Sequence, residues 1–527
     1  MKQEVDPIRL QDNLSERMKR YLLTALPISE RFPKISQQAQ SYLSLEEILV
    51  KGPYLEGIPD FPKGASLKSL VEEKVLHEGF SKLDPKVYSR ALHEHQESAI
   101  RASVTDGSNI VVATGTGSGK TECFLYPLVQ RLLELDVKDR PGIRAIIVYP
   151  LNALANDQLY QRLAPILTGE LSEYGITVGR YTGQTKAGDR REKIAAKLKE
   201  NDSIKELFPD KIPENWLLSR DEMLATPPHV LVTNYAMLEH LLLLPHNRDL
   251  FRNVDLQFLI LDEIHTYSGT QATEVSMLIR KLRSTYAKDT SIRCVGTSAS
   301  LSDDPSELPK VQKFAKRLFE ADFIPPISAT RLKHHLLNQP PRESAMSVQQ
   351  WIAVRRFFGE IGDQFNEADS IEKWNEYMIE ADIDLLVESG LESLPYALCH
   401  GLAKEPAVQL LVDAIERAKG TLLLSDAAEL VFKSEDSLED KMTAVRAMVT
   451  LAAFAREDEN AYPLIPARYH IFAKGIEDAT IELVTERESS EHAKAVQFSR
   501  NFRDSETGKP RYRMLTCRKW GELDFEG

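Results

Sequence analysis

The sequence predicts an α/β fold with a central parallel sheet, joined to an all-helical module and a small C-terminal β-rich module. Three observations carry that expectation. Short apolar runs alternate with amphipathic helical patterns between residues 91 and 330, the order that builds parallel strands linked by crossover helices. The first run opens into a glycine-rich turn, Asn109–Thr121 (NIVVATGTGSGKT). The fifth delivers two adjacent carboxylates, Asp262 and Glu263, at its C-terminal end.

The first run organises the rest. Strand, turn, then the amphipathic Glu122–Leu133 is the layout in which backbone N–H groups and a helix N-terminus close around phosphate. The nucleotide loop comprises Thr114, Gly115, Thr116, Gly117, Ser118, Gly119, Lys120 and Thr121. Lys120 would reach the β/γ-phosphates and the Thr121 hydroxyl would ligate Mg²⁺. The plainest form of the pattern has glycine where Thr114 stands, so the match rests on Gly115, Gly117, Gly119 and the Lys-Thr pair. An ordinary tight turn does not need the flanking strand and helix. Ahead of it, the helical pattern Leu92–Ala102 carries Gln96, either a surface glutamine or a carboxamide able to pair with an adenine edge.

Five further runs follow. Arg144–Tyr149 leads into Pro150–Gln158 (PLNALANDQ), Thr177–Tyr181 ends in Thr182-Gly183, and His229–Thr233 leads into the helical NYAMLEHLLLL. Leu256–Leu261 then delivers Asp262-Glu263-Ile264-His265. A carboxylate directly after a buried strand can hold Mg²⁺, partly through water, because a hard cation prefers oxygen. Its neighbour Glu263 can polarise the water that attacks a γ-phosphate. Acidic helix caps are the plainer alternative. Ile292–Gly296 ends in Thr297-Ser298-Ala299-Ser300, turn formers by type that would emerge beside the Asp262 strand, near His265. The charged run Lys186–Glu200 reads as a solvated helix face or flexible insert.

Length and composition bound the rest. A chain of 527 residues holds several domains. The expected division is an accessory segment (1–90) with a helix over Leu14–Leu26, a nucleotide-binding domain (91–330), a helical module (331–460) and a β-rich module (461–527). A formal charge of -13 excludes a histone-like basic coat but permits a local cationic groove. Cys123, Cys294, Cys399 and Cys517 have no metal-ligand spacing and imply no disulfide framework, which suits a reducing cytosol. The N-terminus lacks a signal-peptide core, and no run approaches the ~20 apolar residues of a membrane span. A cytoplasmic protein without a membrane partner is expected.

Taken in order, Gln96, TGTGSGKT (Thr114–Thr121), PLNAL (Pro150–Leu154), DEIH (Asp262–His265) and TSAS (Thr297–Ser300) resemble the first motor domain of superfamily-two DEAD/DEAH-box helicases, over roughly Leu92 to Leu301. The resemblance implies a RecA-like P-loop domain that binds ATP and Mg²⁺. It implies catalytic roles for Lys120, Asp262, Glu263 and His265, metal contacts from Thr121 and Asp262, and adenine contact from Gln96. It further implies that Pro150, Asn152, Thr182, Gly183, Thr233 and Asn234 lie on a nucleic-acid face that grips phosphates rather than reading bases. Ile264 replaces the usual alanine, and Ser300 the usual final threonine. TNYAMLEHLLL, DEIHTYSGTQATEVSMLIRKL and PARYHIFAKGIEDA (Pro466–Ala479) are similar to large helicases of bacterial antiphage systems of the Druantia and DISARM kind, and to their mitomycin-repair relatives.

That similarity implies a DNA-dependent ATPase or helicase in defence or repair. An ATP-binding adaptor without turnover of its own, and an RNA helicase, are the alternatives. Such helicases often carry a four-cysteine zinc site; here CRKWG (Cys517–Gly521) has Trp520 in place of the second cysteine, so no zinc is expected. No second set of strand-end motifs and no arginine-finger helix follow. An arginine finger is worth ~10³ to 10⁵ in turnover. The chain is therefore expected to be truncated before a second motor domain, to bind ATP better than it hydrolyses it, and to need that domain in cis or in trans. DNA, or else RNA, and other defence-system subunits are the expected partners.

In the remainder, residues 345–460 carry helical spacing and no catalytic constellation; Cys399 and His400 are adjacent without a third partner. From Ala461 the pattern alternates, over Arg468–Ala473, Thr480–Val484, Ala495–Phe498 and Tyr512–Cys517. Its basic residues (Arg468, Lys474, Arg500, Arg503, Lys509, Arg511, Arg513, Arg518, Lys519) form a solvated surface or face DNA.

Overall fold

The computed structural model describes residues 6–25, 27–29, 31–45, 48–115, 117–186, 188–286, 292–299, 305–329, 331–361, 369–387, 393–418, 420–458, 461–474, 479–481, 496–497, 503, 511–516 and 523–526. They divide into two compact units, one within Phe61–Leu332 and one made of Met1–Asp60 with Lys333–Gly527.

The first unit is built on eight parallel strands: β1 (Ile110–Ala113), β2 (Ala145–Tyr149), β3 (Val178–Arg180), β4 (Trp216–Leu217), β5 (Val230–Asn234), β6 (Phe258–Leu261), β7 (Arg293–Ser298) and β8 (Ile327–Ser328). Their spatial order is β8-β1-β7-β6-β2-β5-β3-β4. Strand residues alternate between two cores. Ile110, Val112, Ile147, Val230, Val232, Phe258 and Ile260 pack on one face, and Val111, Ile146, Val148, Leu231, Leu259 and Leu261 on the other. Burial on both faces is why these strands read as unbroken apolar runs. The edge strands β4 and β8 are two residues long, too short to show a period in sequence.

Strand order places the chemistry. The chain passes from β1 to β2, and only later fills the gap between them with β6 and β7. Ser298 then pairs with Ala113, and Gly296 with Leu261. Segments far apart in the chain therefore end side by side. On the other flank, Tyr149 pairs with Asn234, and Arg180 with Val232.

The accessory segment expected over 1–90 is divided between the units. Lys63–Ser66 pairs antiparallel with Ala91–His93, and Leu67, Leu70, Phe80 and Leu83 are buried in the same core as Ile110 and Val112. Val50–Gly57 belongs to the other unit, where it pairs antiparallel with both Thr421–Leu423 and Ala467–Ala473. The proline-dotted stretch between has no periodicity to mark that boundary.

The second unit surrounds a core that includes Trp351 and Trp374 with helices Val348–Ile361, Ser370–Glu380, Leu394–Ala403, Pro406–Arg417, Leu424–Val431 and Leu438–Phe454. A separate antiparallel sheet runs in the order Val496–Gln497, Thr480–Ile481, Tyr512–Thr516, Leu523–Glu526. Arg511, expected on its surface, is buried at 2% exposure and donates through Nε and Nη2 to the hydroxyl and carbonyl of Thr480. Arg500, Lys509, Arg518, Lys519 and the CRKWG stretch with Cys517 lie outside the described residues. Among the described residues no helix is long and apolar enough to cross a membrane.

Candidate active site

The phosphate loop joins β1 to helix α1, Lys120–Glu134. Gly119 caps that helix at φ +75°, the left-handed region that favours glycine, and a Cβ there would also displace the Gln96 amide from its place against the loop. Thr114, buried where the plain motif has glycine, shares a 2.6 Å hydrogen bond with the Ser118 hydroxyl and so braces the loop from within. Thr116 lies outside the described residues.

Gln96 stands on helix α2, Glu94–Val104, at 3% exposure. Its oxygen accepts from the His93 N–H at 2.9 Å, and its nitrogen donates to the Gly119 carbonyl at 3.1 Å. Here the carboxamide steadies the helix start and the loop together. His95, which nothing in the sequence singles out, does the same through a 2.9 Å hydrogen bond between Nε2 and the Ser118 carbonyl; burial holds its pKa below the usual histidine value. Its only sequence signal is its place beside Gln96.

The loop lysine meets the second motif directly. Lys120 Nζ lies 3.2 Å from Glu263 Oε1 and 3.4 Å from the Thr114 carbonyl. The other Glu263 oxygen lies 3.3 Å from His265 Nδ1. Glu263 sits at φ +51°, a left-handed conformation unusual for glutamate. Its N–H is held there by the Thr297 hydroxyl at 2.9 Å, which itself donates to Asp262 Oδ1. Thr297 therefore clips both carboxylate residues to the end of β7.

Asp262 is 7% exposed, and burial pushes its carboxyl up to about 6 despite the bond from Thr297. The Thr121 hydroxyl donates to Gln158 Oε1 at 2.8 Å, leaving its oxygen lone pairs for a cation. Gln158 closes helix α3, Asn152–Gln158, and neither its type nor its spacing signals that role in sequence. Two hard oxygen donors, one a buried carboxylate that a divalent cation would hold ionised, suit Mg²⁺.

His265 Nδ1 also lies 3.3 Å from the Ser298 hydroxyl and 3.5 Å from the Ala299 N–H. His265 is thereby tied to the segment that follows β7. Ser300 lies outside the described residues. Ile264 fits in place of the usual alanine because it packs on Gly296, where a Cβ would come within 3.3 Å of Ile264 Cδ1.

The expected nucleic-acid residues gather at the ends of β2, β3 and β5, with Pro150 leading out of β2. Asn234 donates to Asn152 Oδ1 at 2.7 Å and caps the next helix by accepting from the Met237 N–H at 2.8 Å. The Thr233 hydroxyl donates to the Tyr181 carbonyl, and the Thr182 hydroxyl accepts from the Gln184 N–H. These side chains order the edge among themselves. A Cβ built on Gly183 meets nothing within 4 Å, so the backbone there is open to approach.

Residues 93–208 and 214–308 match the DEAD/DEAH box helicase family. The chain is 29% identical over 375 residues to the Druantia protein DruE of Escherichia coli (strain UMEA 4076-1), covering 55% of this chain and 20% of that protein. It is 30% identical over 223 residues to the uncharacterized ATP-dependent helicase YprA of Bacillus subtilis (strain 168), covering 41% and 24%. The matched part thus spans no more than about a quarter of either relative. Among solved structures, the DUF1998 helicase MrfA bound to DNA and AMPPNP aligns with a TM-score of 0.36 and 20% identity, over 62% of this chain and 39% of that one.

Proposed function

We propose that this chain, whose residues 93–208 and 214–308 match the DEAD/DEAH box helicase family, is the ATP-binding motor portion of a DNA-dependent ATPase or helicase, acting in the cytoplasm in antiphage defence or DNA repair. One observation carries the reading: Lys120, Asp262 and Glu263 converge at the ends of β1 and β6 and are tied to β7 through Thr297. The similarity to DruE supports the defence role, and that to YprA the ATP-dependent activity.

In this mechanism Lys120 exchanges its Glu263 partner for the β/γ-phosphates of ATP. The freed Glu263 carboxylate then accepts a hydrogen bond from the attacking water, orients it on the γ-phosphorus and receives its proton. The Thr121 hydroxyl oxygen and Asp262 would hold Mg²⁺, which when bound neutralises phosphate charge. Thr297 transmits the position of both carboxylates along β7, while Ser298 and Ala299 sense His265. Nucleic acid lies on the edge formed by Pro150, Asn152, Thr182, Gly183, Thr233 and Asn234, with its phosphates on backbone N–H groups. A second motor domain, in cis or in trans, supplies the arginine that full turnover needs.

The test is ATP hydrolysis by the protein purified from its own host, with and without single-stranded DNA. Stimulation of about tenfold or more by DNA is expected. Hydrolysis that ignores DNA but responds to RNA would move the reading to an RNA helicase, and ATP binding without turnover under any nucleic acid would move it to an adaptor.

A further inference from the structure

Beside the open Gly183 backbone lies a groove of about 620 Å³ that the nucleotide chemistry does not use. One wall comes from the segment after β3, the charged run that sequence reads only as a solvated face or insert. Its floor is apolar, from Ile194, Leu198, Ile204 and Leu218, with the Tyr160 ring beside it. Ile204 and Leu218 are buried, so this surface is fixed by the fold. Its rim carries Arg180, Lys186 and Lys197, and among the described residues that line it none is acidic. That bias is set against a chain with 79 acidic and 66 basic residues. Lys186 and Lys197 are exposed, and among the described residues neither is in a salt bridge.

An apolar floor with an aromatic edge, a cationic rim and carboxamides at the mouth is complementary to one chemical class, an unstacked nucleotide. A base offers an apolar face and a polar edge, and its phosphate requires cations. The carboxamides are Asn156 and Gln184, already linked at 3.3 Å between Asn156 Nδ2 and Gln184 Oε1. Arg180 donates to the Tyr160 hydroxyl at 3.3 Å with its guanidinium 5.9 Å from the ring centroid, so the aromatic wall is held in place. The volume lies within the range of pockets that enclose small organic ligands, about 300–1,000 Å³.

We propose that this groove receives a nucleotide of the single-stranded DNA that crosses the neighbouring Thr182-Gly183 edge, with its base against Tyr160 and the apolar floor and its phosphate between Lys186 and Lys197. The inference rests on the nucleic-acid role proposed above. It adds a grip that reaches a base, where the strand-end edge offers backbone N–H groups to phosphate. The inserted segment then serves to hold one nucleotide out of the stack.

The test is fluorescence anisotropy of the full chain with a labelled oligothymidine, over a series of salt concentrations, followed by the emission of a strand carrying 2-aminopurine. Wild type is expected to bind and to raise 2-aminopurine emission, because a base removed from its neighbours is no longer quenched. The double variant Lys186→Ala/Lys197→Ala, both at the surface and harmless to folding, is expected to lose about tenfold in affinity and to lower the salt slope by about 0.7, the share of one phosphate on a single strand. Tyr160→Leu is expected to lose about tenfold while keeping the wild-type slope. Wild-type binding with unchanged affinity and slope in the lysine variant overturns the groove and leaves the strand-end edge standing. Failure of wild type to bind any single strand overturns both.

Discussion

The two ends of the sheet surface solve different problems with the same secondary structure. At the ends of β1, β6 and β7 titratable side chains meet one another and a hydroxyl: Lys120 lies against Glu263, Glu263 near His265, and Thr297 donates to Asp262. At the ends of β2, β3 and β5 the side chains are neutral and spend their hydrogen bonds internally, Asn234 on Asn152 and Thr233 on the Tyr181 carbonyl. In the proposed mechanism the first arrangement exchanges partners, a phosphate taking the place of Glu263 beside Lys120. The second is a frame that presents backbone. Substitutions should therefore act through chemistry at the first and through order at the second.

The largest effect is expected at Glu263. Glu263→Gln keeps the shape of the site but removes the proton acceptor, and should lower ATP turnover by ~10² to 10⁴ with ATP affinity retained, measured by paired binding and hydrolysis assays. Turnover unchanged in that variant would remove the chemical distinction between the two ends. Thr297→Val cuts the link from Asp262 to β7 and leaves the Glu263 N–H without its acceptor, a cost of about 1–3 kcal/mol. It should melt earlier and lose DNA stimulation more than basal turnover.

A third expectation concerns pH and lies away from both sites. His229 precedes β5; its Nδ1 accepts from the Thr177 N–H at 3.0 Å and its Nε2 donates to the Arg140 carbonyl at 3.1 Å. Burial lowers its pKa to about 4. The unfolded chain, with a histidine near 6.5, takes up the proton first, so stability is lost as pH falls from about 6.5 to 4, by about 3 kcal/mol. His229→Gln should flatten the melting temperature over that range. A smaller effect is expected from Asn234→Ala, about 1 kcal/mol for the lost cap. DNA affinity should fall less than tenfold, and a larger loss would mean that Asn234 contacts the nucleic acid itself.

The same contrast governs what can be read from sequence. The charged end is legible because the reaction demands particular residue types at the ends of strands, and those strands are apolar runs buried on both faces. DEIH and TSAS can be placed side by side only by assuming a strand order, which β1, β7 and β6 adopt. The supports are not legible. His95, Gln158 and the Thr114–Ser118 bond work through position and not through a distinctive residue type. Gln96, expected at an adenine edge, has in addition a bracing bond to the loop that its residue type does not announce. Residues 61–90 read as part of an accessory segment because no clear periodicity marks them, yet Leu67, Leu70, Phe80 and Leu83 pack in the same core as Ile110 and Val112. Val50–Gly57 finds its partners in Thr421–Leu423 and Ala467–Ala473, a distant pairing that no local pattern encodes.

The chemistry proposed for the nucleotide site depends on the exchange at Lys120, and titration of a fluorescent ATP analogue with Mg²⁺ tests it most directly. Lys120→Ala should weaken binding by about a hundredfold or more, while Glu263→Gln, which frees the lysine from its partner, should bind as tightly as wild type or more tightly. Equal affinity in wild type and Lys120→Ala would contradict it.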